Sequence, residues 1–155
     1  LDELTSMSFR ESPNAPAALL ERARFSLRYR NDVKGALQDL EAILNKYSQH
    51  PECETARLYH GIILECGESS QSLKQYFRAV GLLRRGMRTG EYKQALATFE
   101  VLAGHPEDPI APFAVWQARR VSEVWPDEVQ RSLRLRDMML GRFPNRDWRL
   151  IAQVY

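Results

Sequence analysis

The stretch of residues 90–108, GEYKQALATFEVLAGHPED, places one small and several bulky side chains on a helix between two turn signals. Gly90 opens the stretch, Ala95 and Phe99 follow at helical spacing, and a Gly-His-Pro sequence ends it. Residues 31–51, NDVKGALQDLEAILNKYSQHP, repeat this pattern. The alanine lets a neighbouring helix approach closely, and the bulky residue four positions later fills the space beside it. The pattern therefore predicts closely stacked helical hairpins.

The composition is that of an ordinary globular domain, with 155 residues, of which 44% are hydrophobic and 27% are charged. A formal net charge of +2 gives no electrostatic argument for nucleic-acid binding. No apolar run approaches the roughly 20 residues that a transmembrane helix needs. Because residue 1 is leucine, we expect the chain to be a processed or excised piece, and any signal peptide or lipid anchor would lie outside it.

Apolar stripes, capping residues and helix breakers predict eight helices and no strand, so the expected fold is all-α. The helices are expected at about 16–29, between a cap at Asn31 or Asp32 and a break at 48–51, at about 53–66 and 71–88, within 90–108, and at about 110–124, 127–142 and 146–155. Residues 1–15 have weak periodicity and are expected to form a flexible lead-in, which assigns the helical domain to residues 16–155. The short connections imply that consecutive helices are antiparallel neighbours.

The alanine and glycine positions of these helices resemble those of the tetratricopeptide repeat family, in which a pair of helices repeats about every 34 residues. Gly61, in the stretch ARLYHGIILECG, lies where the family has the glycine of its first helix. The period is irregular, because Ala36 and Leu73 are 37 residues apart whereas Leu73 and Ala95 are only 22 apart. The resemblance implies antiparallel hairpins stacked as a right-handed superhelix that is irregular near residues 70–90.

The connections after several helices share a second pattern, in which an aromatic or histidine residue, a proline and polar residues precede the next helix. Examples are LNKYSQHPECETARLYHG and LAGHPEDPIAPFAVWQA. This pattern is similar to repeats in bacterial envelope lipoproteins that assist outer-membrane protein assembly or cell division. The resemblance implies a protein-interaction adaptor in a cell-envelope assembly, in the periplasm or at the outer membrane. The alternatives are a cytoplasmic scaffold or chaperone-like domain and an accessory domain of a larger enzyme.

The polar residues form no catalytic, metal or cofactor signature. Cys53 and His60 would lie about 10 Å apart on one helix, too far to share a zinc ion with bonds of about 2.0–2.3 Å. Cys53 and Cys66 would lie about 20 Å apart, so both are expected to be free thiols, which favours a reducing compartment. Gly81 and Gly86 have the spacing of a phosphate loop but lack its lysine. We therefore expect neither an enzyme nor a bound cofactor or metal.

The repeat resemblance implies a concave groove that the first helix of each unit lines. The expected partner-binding residues mix apolar and cationic side chains: Phe25, Arg28, Tyr29, Leu58, Ile62, Arg84, Met87 and Arg88. Such a groove suits an extended or helical peptide, and its arginines favour acidic residues in that peptide. Phe25, Tyr29, Arg84 and Arg88 are expected to contribute most, each by about 1 kcal/mol or more of binding free energy.

The last predicted helix carries an apolar stripe of Trp148, Ile151 and Tyr155 with no following helix to cover it. The stripe either folds back as a cap, packs against a further part of the native protein, or binds another chain. The third alternative predicts a second interface and a homodimer through the C-terminal helix. A nucleic-acid partner is not expected, because the arginines are not interleaved with aromatic residues in a base-stacking pattern.

Overall fold

The computed structural model describes residues 14–86, 90–124 and 128–154, and within these ranges all regular structure is helical. Eight helices follow one another in these ranges: α1, Ala15–Phe25, with a π-helical extension Ser26–Arg30; α2, Val33–Lys46; α3, Glu52–Cys66; α4, Gln71–Gly86; α5, Glu91–Ala103; α6, Ala111–Glu123; α7, Val129–Arg142; α8, Trp148–Ile151. The predicted all-α fold is confirmed. Residues 1–13, which make up most of the predicted lead-in, lie outside the described residues.

The C-terminal helix differs most from its predicted bounds, because α8 spans only Trp148–Ile151 rather than 146–155. The Asp147 carboxylate accepts hydrogen bonds from two backbone N–H groups of the first turn, which fixes the start of the helix. A turn at residues 152–153 follows, and Val154 is completely buried beyond it. The helix therefore stops one turn after it begins.

Most helices pack on the helices next to them in sequence, as their short connections predict. The step from α3 to α4 is different, because the two backbones make few contacts although only residues 67–70 connect them. α4 packs instead on the π-helical turn of α1 and on α5. This change of neighbour occurs at the start of the region, residues 70–90, in which the repeat period is irregular.

α4 approaches α1 closely because residue 81 is glycine. A Cβ atom at Gly81 would lie 2.8 Å from the carbonyl oxygen of Arg28, closer than real Cβ contacts come. Gly81 therefore has a packing role. Gly61, which the family resemblance places at a helix crossing, is exposed and has no atom within 4 Å of a built Cβ. The crossing that needs a glycine thus involves α4 and not α3.

The core combines small alanines with a cluster of aromatic rings. Ala36 and Ala95 are completely buried, as the alanine positions of the repeat pattern predict. Tyr76 of α4 is also buried, and its ring centroid lies 5.6 Å from that of Phe99 in α5 and 6.4 Å from that of Phe113 in α6. Aromatic side chains bury large areas, so Tyr76 stabilises the contact of three helices.

The π-helical turn of α1 leads directly into the cap of α2. The turn ends at Asn31, whose φ of 57° is in the left-handed region that asparagine tolerates better than most residues. Asp32 follows, and its Oδ1 accepts a hydrogen bond of 2.8 Å from the backbone N–H of Gly35. These two residues therefore fix the end of one helix and the start of the next.

We expect Asp32→Ala to lower the free energy of unfolding by about 1 kcal/mol, because a backbone N–H in the first turn of α2 loses its partner. Urea denaturation measures this change. The matched control is Asp137→Ala, which removes an exposed carboxylate from the interior of α7 and should change stability by less than about 0.5 kcal/mol. Equal losses in the two variants would contradict the capping role.

Candidate peptide-binding surfaces

The structure divides the predicted partner-binding residues between two surfaces. The first lies where the end of α1 meets α4 and contains Phe25, Arg28, Tyr29 and Arg84. The second lies between α3 and α8 and contains Leu58, Ile62 and Ile151. Trp148 also lies on α8, and three predicted residues lie outside the described residues: Met87, Arg88 and Tyr155.

The first surface is a cleft between the π-helical turn of α1 and one face of α4, with a cavity volume of about 480 Å³. We call it the basic cleft, and its lining residues are Leu27, Arg28, Tyr29, Arg30, Asn31, Gln71, Lys74, Gln75, Arg78 and Arg85. Five of these ten side chains are cationic and none is acidic. A chain with a formal net charge of only +2 thus concentrates positive charge here, which favours an anionic ligand.

Among the five cationic residues of the basic cleft, Arg28 is the buried one, with 6% of its surface exposed. Its Nη2 donates a long hydrogen bond of 3.5 Å to the Tyr59 hydroxyl, and its Nε has no hydrogen-bond partner among the described residues. Burial lowers the pKa of Arg28, and the nearby positive charges of Arg84 and Arg24 add to this effect. The guanidinium nevertheless stays protonated, as arginine does in proteins. Arg28 therefore contributes charge to the cleft but little surface for the contact that the sequence predicts.

Phe25 and Tyr29 form an exposed aromatic pair at this surface, with 47% and 38% of their surfaces exposed and ring centroids 5.1 Å apart. The guanidinium of Arg30 lies 5.3 Å from the Phe25 ring centroid, and that of Arg85 lies 5.4 Å from the Tyr29 ring centroid. Cation–π contacts of this length attract the guanidinium to the face of the ring. Both aromatic residues are therefore accessible to a partner, and they position two arginines of the cleft.

A shallow groove between α4 and α5 continues from the basic cleft and shares Gln75 and Arg78 with it. Its other lining residues are Ala79, Leu82, Gln94, Ala97, Thr98 and Val101. Val101 leaves 64% of its surface exposed, so contact with an apolar ligand group would remove apolar area from water. The basic cleft and this groove together fit a ligand that carries both acidic and apolar groups.

The second surface is occupied by the chain itself. Residues 147–154, which we call the C-terminal segment, fold back so that Ile151 is 5% exposed and Val154 is completely buried. Trp148 is half-buried and packs against the core. Of the predicted apolar stripe, Trp148 and Ile151 thus pack on their own chain, and Tyr155 lies outside the described residues. A homodimer through Ile151 would first have to displace this segment.

The face beneath the C-terminal segment, which we call the covered groove, consists of Leu58 and Ile62 of α3, Tyr76 of α4 and Phe113 of α6. The Tyr76 hydroxyl donates a hydrogen bond of 3.1 Å to the backbone carbonyl of Val154. Burial raises the pKa of Tyr76, so the hydroxyl keeps the proton that it donates. A cavity of about 290 Å³ that opens to solvent lies between the covered groove and the C-terminal segment.

Lys74 and Arg78 both line the basic cleft, although neither was predicted from the sequence as a site residue. Lys74, Arg78 and Arg85 are spaced four and seven residues apart, which places them on one face of α4. This periodicity was readable from the sequence. The approach of the π-helical turn to that face was not, because it depends on a contact between distant residues.

No protein-family model, no curated protein and no solved structure matches this chain. The resemblance to tetratricopeptide repeats therefore depends only on the pattern of small and bulky residues in the sequence. Among the residues that the structure describes, no group of three His, Cys, Asp or Glu side chains is arranged to hold a metal ion. None of the described helices is long and apolar enough to cross a membrane.

Proposed function

We propose that this chain is a protein-interaction scaffold that binds an acidic, partly apolar peptide segment of its partner in the basic cleft. The observation that supports this most strongly is that the described residues around a cavity of about 480 Å³ include five cationic and no acidic side chains. Carboxylates form charge-assisted hydrogen bonds with arginine and lysine, which are stronger than neutral ones. Glutamate and aspartate side chains are the peptide groups that supply such carboxylates.

The surroundings of the basic cleft favour a peptide over a small anion. A small anion would use only the cationic groups, whereas a peptide would also contact Val101 in the adjoining groove and the exposed rings of Phe25 and Tyr29. Grooves between helices bind peptides through such mixtures of apolar and charged contacts. The proposal therefore assigns partner contacts to Phe25 and Tyr29, as the sequence predicts, and adds Lys74 and Arg78.

For the setting of this scaffold we propose an adaptor in a bacterial cell-envelope assembly, as the narrower resemblance implies. A cytoplasmic scaffold or chaperone-like domain is the alternative, and the free cysteines Cys53 and Cys66 favour it. Cell fractionation followed by detection of the chain with an antibody separates these settings. Recovery in the envelope fraction supports the first, and recovery in the cytoplasmic fraction would contradict it.

Charge reversal in the basic cleft is expected to weaken the binding of an acidic peptide. A suitable probe is a fluorescein-labelled peptide in which glutamate and aspartate alternate with leucine. For the double variant Lys74→Glu, Arg78→Glu, the Kd should rise at least about tenfold, which corresponds to about 1.4 kcal/mol. Two attractive contacts become repulsive, since both residues line the cleft. Fluorescence anisotropy measures the Kd, and the native affinity should fall as salt is added.

The matched control is Arg134→Glu, Arg142→Glu, which makes the same change in net charge at two exposed residues of α7. This variant should bind the acidic peptide with nearly the native Kd. An equal loss in both variants would show that only total charge matters, which would contradict the basic cleft as the site. If the native chain does not bind the peptide at all, the proposed function is wrong.

A further inference from the structure

Arg28 is a buried cation that forms no ion pair with any carboxylate of the described residues. Its side chain makes only the long hydrogen bond from Nη2 to the Tyr59 hydroxyl among these residues, and its Nε has no partner. Glu21 of the same helix pairs with Arg24 instead. A buried charge without a counter-ion is costly to the fold. Because Arg28 lines the basic cleft, its charge points to an anion from outside the chain.

The other four cations of the basic cleft also have no carboxylate partner in the described part of the chain. They are Arg30, Lys74, Arg78 and Arg85. Elsewhere in that part, six arginines form ion pairs with aspartate or glutamate: Arg22, Arg24, Arg119, Arg131, Arg136 and Arg146. The fold thus supplies acidic partners to several arginines but to no cation around this cavity.

We propose that the basic cleft binds a phosphorylated side chain of the partner peptide. This inference rests on the proposed function, since it names the acidic group of the same peptide. A phosphorylated side chain carries a charge of about −1.5 to −2 at pH 7 and three acceptor oxygens, whereas a carboxylate carries one charge and two oxygens. The fork of an arginine side chain matches two phosphate oxygens, and arginine clusters recognise phosphorylated peptides for this reason.

The positive charge is confined to one cavity, which favours a single phosphate group over a nucleic-acid backbone. Among the described residues that line the groove between α4 and α5, the only cation is Arg78, which the groove shares with the cleft. A further pocket shares Asn31 and Lys74 with the cleft and includes the carboxylates of Asp32 and Glu68. Nucleic acid carries a row of closely spaced phosphates and would need a continuous basic track. The phosphate of one side chain needs only the cleft.

The test compares three labelled peptides on the full chain. In each peptide, glutamine alternates with leucine around one central residue, which is phosphoserine, glutamate or serine. At about pH 7.5 the phosphoserine peptide should bind at least about tenfold more tightly than the glutamate peptide, and the serine peptide should bind least. Fluorescence anisotropy measures the three Kd values.

The pH dependence separates a phosphate from a carboxylate. The second pKa of phosphoserine is about 6, so its charge approaches about −2 between about pH 5.5 and pH 7.5. None of the described residues that line the cleft is a histidine or a carboxylate, so the charge of the cleft stays constant over this range. The affinity for the phosphoserine peptide should therefore rise with pH, whereas the affinity for the glutamate peptide should stay nearly constant.

Arg28→Met removes the buried charge and keeps much of the side-chain volume. The preference for phosphoserine over glutamate should fall severalfold, because a doubly charged group loses more attraction than a singly charged one. A purely structural loss would weaken both peptides equally. The control Arg134→Met makes the same change at an exposed residue of α7 and should keep the preference. If circular dichroism shows that Arg28→Met is unfolded, Arg85→Met replaces it, at an exposed arginine of the cleft.

Three results would overturn the proposal. One is a chain that binds the acidic peptide but binds the phosphoserine peptide no more tightly than the glutamate peptide, which would leave the proposed function intact. Another is an unchanged preference in folded Arg28→Met and Arg85→Met, which would place the phosphate outside the cleft. The third is displacement of the phosphoserine peptide by micromolar inorganic phosphate or by a single-stranded oligonucleotide, which would identify a different ligand. If neither the acidic nor the phosphoserine peptide binds, the proposed function is wrong as well.

Discussion

Gly81→Val should lower the free energy of unfolding by about 3 kcal/mol, although valine has a higher helix propensity than glycine. The reason is the carbonyl oxygen of Arg28, which lies 2.8 Å from the position of a Cβ atom at residue 81. A side chain there would push α4 away from the π-helical turn of α1. Urea denaturation measures the loss of stability. Since both elements line the basic cleft, the affinity for the acidic peptide should fall as well.

The matched control is Gly61→Val, at a glycine that is also inside a helix. Gly61 is exposed and has no atom within 4 Å of a built Cβ, so stability should change by no more than about 0.5 kcal/mol. The two variants differ in packing and not in the type of substitution. A nearly native stability of Gly81→Val would show that α4 and the π-helical turn do not pack as closely in solution as the structure describes.

Phe77→Ala should lower the free energy of unfolding by about 3–5 kcal/mol, the usual cost of removing a buried phenylalanine side chain. Phe77 is 1% exposed, and its ring centroid lies 5.8 Å from that of Tyr59 in α3 and 5.2 Å from that of Tyr76. Because the backbones of α3 and α4 make few contacts, these rings supply much of the packing between the two helices. For a chain of this size the Tm should fall by roughly 10 °C.

Leu64→Ala is the control for Phe77→Ala, since Leu64 lies on α3 with 60% of its surface exposed. Its substitution should change the Tm by less than about 2 °C, which corresponds to less than about 0.5 kcal/mol. Differential scanning calorimetry measures both variants. Similar small changes in the two would indicate that α3 and α4 are held together by contacts other than the ring of Phe77.

The helices were predictable because each carries its own apolar stripe and its own starting or ending residue. Ala95 and Phe99 are completely buried, as their spacing in the opening pattern predicts. The prediction was wrong for the length of α8, because its end depends on a distant residue. Val154 reaches the hydroxyl of Tyr76, which is 78 positions earlier in the chain. A local pattern contains no information about such a contact.

The candidate sites were less predictable than the helices for the same reason. The cationic face of α4 has a helical period, but the basic cleft also requires the π-helical turn at residues 26–30 and the missing side chain at Gly81. Leu58 and Ile62 were expected to face a partner because a regular repeat would place them in an open groove. The C-terminal segment covers that surface, and the repeat pattern does not include this segment.

The packing of helices on their sequence neighbours also influences how this chain folds. Because most helices pack on their sequence neighbours, most native contacts are local, and proteins with such topologies fold in microseconds to milliseconds. Several contacts join residues more than 50 positions apart, among them Gly81 with Arg28 and Tyr76 with Val154. Closing these long loops costs more chain entropy than pairing adjacent helices does. Both contacts are therefore expected to form later in folding than the pairing of adjacent helices.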